Sequence, residues 1–271
     1  MAAVGFIRSI LMVLAVLAFT GPVRAEAGSW SLDYQLHAGG LRLLRASMVI
    51  DLSADTYAVR LDARLDGLPA IFSDWWATTV SDGSVAGQGI LPRHHRVQRI
   101  HRGKVRTTDM AFRPDGTIGV GFDPPRDPVR IAPSELEGAI DPLSALVAMI
   151  VELGAGGECS GTLKAFDGRR RFDLIFAEGP RATLKAGPNS PYEGPARRCR
   201  MRQVPVAGAW EWEAEEQDSA EAPRERVADL WLAAPIEGGP VVPVRAEGDV
   251  WIGRFLLHLV DASRNPVPAG Q

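Results

Sequence analysis

The chain predicts a mainly β fold: one large curved antiparallel sheet, half-barrel or sandwich-like, with a single buried helix packed on it. Three observations carry this. Apolar residues alternate with polar ones at Trp30, Leu32, Tyr34 and Leu36, and again at Tyr57, Val59, Leu61, Ala63 and Leu65, the period-2 pattern of half-buried strands. The 28 glycines and 20 prolines are spread along the chain, as expected for many short strands joined by turns. Only one stretch after the N-terminal region, Ile140 to Leu153, reads clearly as a helix.

In that stretch Asp141 can cap the free N–H groups of the first turn, and Pro142 sits at N1, where a missing N–H is harmless. Leu143, Leu146, Val147 and Ile150 form a stripe at helical spacing. Ala145, Ala148, Met149 and Val151 fill most of the remaining circumference, so the helix is apolar nearly all round and should be buried as a plug within the strands. Gly154 ends it. It is too short to span a bilayer, which takes about 20 residues.

In chain order, Arg8, the apolar run Ile10–Phe19 and Val23-Arg24-Ala25 have the form of a signal peptide cleaved after Ala25. An uncleaved anchor is the alternative, disfavoured by an apolar core of only about ten residues. Cleavage leaves a single β-rich domain over 26–265 and a disordered tail, 266–271. The product is exported to the periplasm, with no transmembrane segment. A first meander follows, turning at Gly39-Gly40. Leu68–Val80 is predicted as a strand carrying Phe72, Trp75 and Trp76, with the adjacent tryptophans on opposite faces. Turns are expected at Asp82-Gly83, Arg102-Gly103 and Asp115-Gly116, and Pro124–Pro133 forms a rigid approach to the helix. Beyond it, Thr162–Phe166 and Arg171–Phe176 form a hairpin with a two-residue turn at Asp167-Gly168. Gly187–Gly194 is a loop, Cys199–Val206 a strand, and Glu211–Glu225, with seven acidic residues, a flexible excursion. Strands Arg226–Ala233, Val241–Ala246 and Val250–Val260 complete the fold, with turns at Gly238-Gly239 and Glu247-Gly248.

The formal charge of −3 becomes about −5 once Arg8 and Arg24 are removed, which argues against nucleic-acid binding. Cys159 and Cys199 are the only cysteines. In an oxidising compartment such a pair is most simply a disulfide. Gly157-Glu158-Cys159-Ser160-Gly161 has the spacing of a nucleophile elbow, but a helix precedes it and a hairpin follows, the reverse of the order that motif needs. His94, His95 and His101 lack a neighbouring carboxylate or thiolate at ligand spacing and lie among basic residues, so no metal is expected. The basic run containing Arg93, Arg96, Arg99 and Arg102 can bind anions, or can be the solvated face of an edge strand. Phe72, Trp75, Trp76, Leu146, Met149, Ile150, Trp231 and Trp251 are candidates to line an apolar ligand groove, with plain core as the competing reading.

Two stretches carry resemblances. Gly89-Ile90-Leu91-Pro92-Arg93-His94-His95, a basic strand, an Asp-Gly turn, a proline-rich segment and Asp141-Pro142-Leu143-Ser144-Ala145-Leu146 together resemble an exported bacterial family known only as domain of unknown function 3108. Cys159, Leu163, Phe166-Asp167-Gly168-Arg169-Arg170-Arg171-Phe172 and Cys199 also suit it. That family brings no activity with it. Leu230-Trp231-Leu232, Pro235 and Pro243-Val244-Arg245 are similar to the late hairpin of periplasmic lipoprotein carriers, whose half-barrels enclose an apolar cavity closed by helices. The expectation is a non-catalytic periplasmic envelope protein without cofactor, holding a lipid or other hydrophobic ligand in the concave face. The alternatives are an envelope scaffold with a packed core, binding protein at a strand edge, and an exported hydrolase of envelope polymers.

Overall fold

The first strand lies at the middle of the sheet rather than at its margin. In a computed structural model, which describes residues 27–266 apart from 88, 102, 128–130, 209–224 and 251–252, β1 (Gly28–Ala38) pairs on one side with β2 (Leu41–Leu52) and on the other with the last strand, β13 (Gly253–Asn265). The expected signal segment, the tail from 267, the acidic run up to 224, Arg102 and Trp251 lie outside the described residues. From β1 the chain meanders outward through β2, β3 (Thr56–Leu65), β4 (Trp76–Ala86), β5 (Gly89–His101), β6 (Lys104–Phe112) and β7 (Ile118–Asp123). It crosses to the opposite margin through the one-turn helix α2 (Pro133–Leu136) and the longer α3 (Pro142–Gly154), then meanders back through β8 (Gly161–Phe166), β9 (Arg171–Leu184), β10 (Gly194–Ala207), β11 (Arg226–Ala233) and β12 (Val242–Val250) to β13. The result is one antiparallel sheet of 13 strands with β7 and β8 as its margins.

The sheet curls until those margins approach. Gly168, in the turn after β8, sits where a Cβ would fall 2.6 Å from the Thr108 methyl of β6 and 3.5 Å from Val120 of β7. Met110, Ala139 and Phe166 form a small core between the margins. α3 (Pro142–Gly154) occupies the enclosed space. Its Leu143, Val147 and Ile150 pack on Trp30, Leu32, Ile50 and Val244, and Met149 and Leu153 pack against Leu230, Leu232 and the cysteines. Ala145 meets Ala165, Phe172 and Leu174. The helix is therefore a buried plug, as its all-round apolar composition requires. Ile140 fastens its start to β8: its N–H donates to Lys164 O at 2.9 Å and its carbonyl accepts from Phe166 N–H at 2.8 Å. Cys159 and Cys199 are disulfide-bonded, with Cα atoms 5.9 Å apart, and tie the exit of the helix to β10.

Several sequence expectations fail locally. Leu68–Val80 is not one strand: the chain leaves the sheet after Leu65, makes the one-turn α1 (Pro69–Phe72), and re-enters at Trp76. Pro69 has no N–H for a ladder but suits the first turn of a helix. Asp82-Gly83 and Glu247-Gly248 are not turns; both lie inside strands. An aromatic side chain from the paired strand crosses each glycine, since a Cβ on Gly83 would fall 2.8 Å from Tyr57 and one on Gly248 would fall 2.6 Å from Phe255. The Asp167 turn spans Asp167–Arg170 rather than two residues, because the Asp167 carboxylate accepts from the N–H groups of Arg169 and Arg170 at 3.0 and 2.8 Å. The basic strand β5 is not an edge strand, being paired on both sides with β4 and β6.

Candidate functional site

Beneath the N-terminus of α3 five polar side chains form a connected group. Asp141, the N-cap, accepts from Ser144 N–H at 2.9 Å and from the Ser144 hydroxyl, and its other contacts are Ser81 Oγ at 2.7 Å and His95 Nδ1 at 2.9 Å. Ser81 Oγ also lies 2.7 Å from His95 Nδ1, and Tyr57 Oη lies 2.6 Å from Ser144 Oγ. With the Ser144 proton committed to Asp141, the tyrosine is the donor in that last pair. Tyr57 and Ser81 come from the inner face of the sheet, His95 from β5, and all five residues are at most 2% exposed. Burial works to raise the Asp141 carboxyl, but hydrogen bonds from His95 and Ser144 outweigh it and hold the group below the usual carboxylate range. Burial pushes the Tyr57 phenol up.

Serine, histidine and aspartate within hydrogen-bond reach call for a test against nucleophilic catalysis. A triad places the serine on one imidazole nitrogen and the carboxylate on the other. Here Ser81 and Asp141 share Nδ1, while Nε2 is buried and meets no hydrogen-bond partner among the described residues. The chemistry of the group is that of a cap: it satisfies the helix N-terminus, compensates one buried carboxylate and joins α3 to β3, β4 and β5.

A surface site lies on the flank of the same helix. A cleft of about 570 Å³ runs between α3, the start of β5 and the margin strand β8. Ile90, Ile140, Met149 and Phe176 supply its apolar floor, and Glu137, Glu152 and Glu158 its rim. Among the described residues Lys164 is the one basic residue lining it, and its Nζ donates to Glu137 O at 3.1 Å. The size is that of a small-ligand or peptide site. One wall is strand backbone. Ile140 engages Lys164 O and Phe166 N–H on the outer side of β8, so by the two-residue period of a strand the N–H and C=O of Thr162 point the same way, into the cleft. Arg197 donates to Gly157 O at 2.6 Å, and Glu178 accepts from Cys159 N–H at 2.8 Å, so the disulfide loop that ends the cleft is held to β9 and β10.

The apolar candidates do not converge on this cleft. Met149 lines it, Leu146 and Ile150 pack in the core, and Phe72, 86% exposed, stands far from it on α1. Trp75 and Trp76 are half-buried at the start of β4. Trp231 lies beneath the guanidinium groups of Arg198 and Arg245, 5.6 and 4.9 Å from its ring centre. Of the candidate anion ligands, Arg93 pairs with Asp82 at 2.6 Å and Arg96 lies 3.9 Å from Asp109, while Arg99 stands opposite Arg106 in the ladder. His94 turns toward Asp109 at 3.1 Å, away from the buried His95. The cleft residues Glu137, Glu152, Glu158 and Thr162 have no signature in the sequence, because a margin strand is defined only by the whole strand order. The buried group was half legible: Asp141 reads as a cap and Ser144 sits at the third helical position, but nothing local points to Ser81 or His95.

The family described as protein of unknown function DUF3108 matches residues 33–260. No curated protein matches the chain. Among solved structures, the beta-barrel-like protein of domain of unknown function DUF1849 from Brucella abortus is similar, with a TM-score of 0.50 at 13% identity, covering 89% of this chain and 100% of that one. At that identity the likeness speaks for the fold alone.

Proposed function

We propose a partner-binding role for this chain, which belongs to the DUF3108 family of proteins of unknown function. It is an exported, non-catalytic protein of the cell envelope that takes an extended, apolar and basic segment of another chain into the cleft beside α3. The observation that carries this reading is the cleft itself: an apolar floor, three glutamates on the rim and an open strand margin along one wall. Main-chain bonds to Thr162 anchor the segment, side chains reach Met149 and Phe176, and basic groups meet Glu137, Glu152 and Glu158. α3 and the core packed on it occupy the concave face of the sheet, which favours the cleft over that face as the binding surface. The acidic rim also opposes an anionic lipid head group.

The probe is an octapeptide of alternating valine and lysine, with alternating valine and glutamate as the charge control, read by calorimetry. The valine–lysine peptide binds and the control does not. Thr162→Pro removes an N–H that faces away from β9, so the fold survives. Binding then weakens roughly tenfold, the loss expected for one anchoring hydrogen bond with its acceptor left unpaired. Equal binding of both peptides, or no effect of Thr162→Pro, would sink the strand-addition model.

A further inference from the structure

At one end of the sheet large apolar side chains stand in water. Leaving β3, the chain passes Asp66 and Gly67 into α1, where Leu68, Ile71 and Phe72 are 56, 73 and 86% exposed. Their i, i+3, i+4 spacing sets them on one side of the turn, and α1 buries none of its residues. The neighbouring β1–β2 tip adds Leu41, 49% exposed. Asp66 N–H donates to Leu43 O at 3.0 Å, and Gly67, at φ +68°, lies so close to β2 that a Cβ would fall 2.6 Å from Arg42 O. Single exposed apolar residues are ordinary, but a protrusion made of several marks a contact surface.

The base of the protrusion is cationic. Arg42 and Arg45 share the carboxylate of Asp66 at 2.9 and 3.0 Å, and exposed Arg64 stands directly opposite Arg45 in the β2–β3 ladder. Asp74 is the other acid of this connection, so the guanidinium groups outnumber the carboxylates. The shape is convex, a single helical turn without a rim, which suits a fluid surface better than a rigid pocket. An apolar tip above a cationic collar is the chemistry of an interfacial lipid anchor.

We infer that this end of the sheet docks on an anionic lipid bilayer, with Leu68, Ile71 and Phe72 entering the head-group boundary and Arg42, Arg45 and Arg64 meeting lipid phosphates. The inference does not depend on the occupant of the cleft. It does orient the cleft: the pairs Arg64–Trp76 and Trp76–Ile100 put the protrusion at the His101 end of β5, whereas the cleft lies at its Gly89 end. A docked molecule therefore presents the cleft away from the bilayer.

The test is flotation of the full chain, expressed with export intact, on vesicles of phosphatidylcholine alone or mixed with phosphatidylglycerol. The wild type floats with the mixed vesicles and much less with phosphatidylcholine. Ile71→Glu/Phe72→Glu lowers partitioning about tenfold or more, because two apolar anchors become like charges at an anionic surface. These exposed side chains have no packing to lose, so the variant stays folded. Arg64→Gln lowers partitioning by roughly fivefold. A wild type that stays unbound overturns the inference. So does equal flotation of wild type and double variant, which would assign attachment to another segment, the apolar N-terminal run included. Equal binding to both vesicle types would remove the role of the arginine collar and with it the proposal.

Discussion

Asp141 is buried completely, yet it is charged, and four hydrogen-bond donors around it explain how. Removing any one of them leaves a carboxylate in a dry site, a loss of about 3 kcal/mol or more for a group of this kind. His95→Ala should therefore lower the denaturant midpoint sharply at neutral pH, although His95 touches no surface. The pH dependence follows from the sign of the shift. The folded-state pKa of Asp141 lies below its unfolded value. Its contribution is thus present above the unfolded pKa of about 3.9 and disappears as pH falls through the lower, folded value. Asp141→Asn should be less stable than wild type at pH 7, and the gap should narrow on acidification below about pH 4. Denaturant titrations at the two pH values check this; a gap that widens in acid would mean that the carboxylate is not held ionised. Of this group the sequence discloses Asp141 as a cap. His95, which the sequence groups with His94 and His101 without a ligand set for a metal, is an inward residue of β5, and only its pairing opposite Ser81 brings it to the helix.

Strands were legible where alternation was strong and misjudged where glycine served a neighbour. Trp30–Leu36 and Tyr57–Leu65 fall in β1 and β3 as expected, and Arg226–Ala233 coincides with β11. Asp82-Gly83 and Glu247-Gly248 have the composition of turns, but each glycine clears space for an aromatic ring on the paired strand. That requirement belongs to the partner, so a local pattern does not contain it. Gly83→Ala should destabilise by about 1–3 kcal/mol, since the added methyl meets Leu91 O and the Tyr57 ring. Gly121→Ala, in β7 with open space around it, should change stability little. Thermal unfolding of the two variants compares them directly. A tolerated Gly83→Ala would mean that Tyr57 can leave its place over the glycine.

Across the whole molecule, a buried helix replaces the missing pairing between β7 and β8. α3 meets strands from both halves of the sheet, so the two meanders share one core although their outer margins do not join. The disulfide fastens the exit of that helix to β10, and closing a loop of this length contributes up to about 4 kcal/mol on a chain-entropy model. Intact mass of the exported, unreduced protein should correspond to a chain beginning at Glu26 and lacking two hydrogens. A mass that retains the first 25 residues would overturn the export reading, and two titratable thiols after denaturation would overturn the bond. The two proposed binding surfaces also emerge at this scale. The cleft exists because β8 is a margin, and the protrusion because α1 interrupts what alternation alone continues as a strand.

Composition and periodicity by themselves determined the fold class, the single buried helix with its aspartate cap, most strand positions and the cysteine pair. These depend on neighbours within a few residues, or on there being only two cysteines to join. Only the tertiary structure decided the strand order, the margin at β8, the burial of His95 with Ser81, and the exposure of Phe72. Each of these depends on residues distant in the chain, brought together when the sheet curls around α3, and burial is a property of that closed arrangement rather than of any segment.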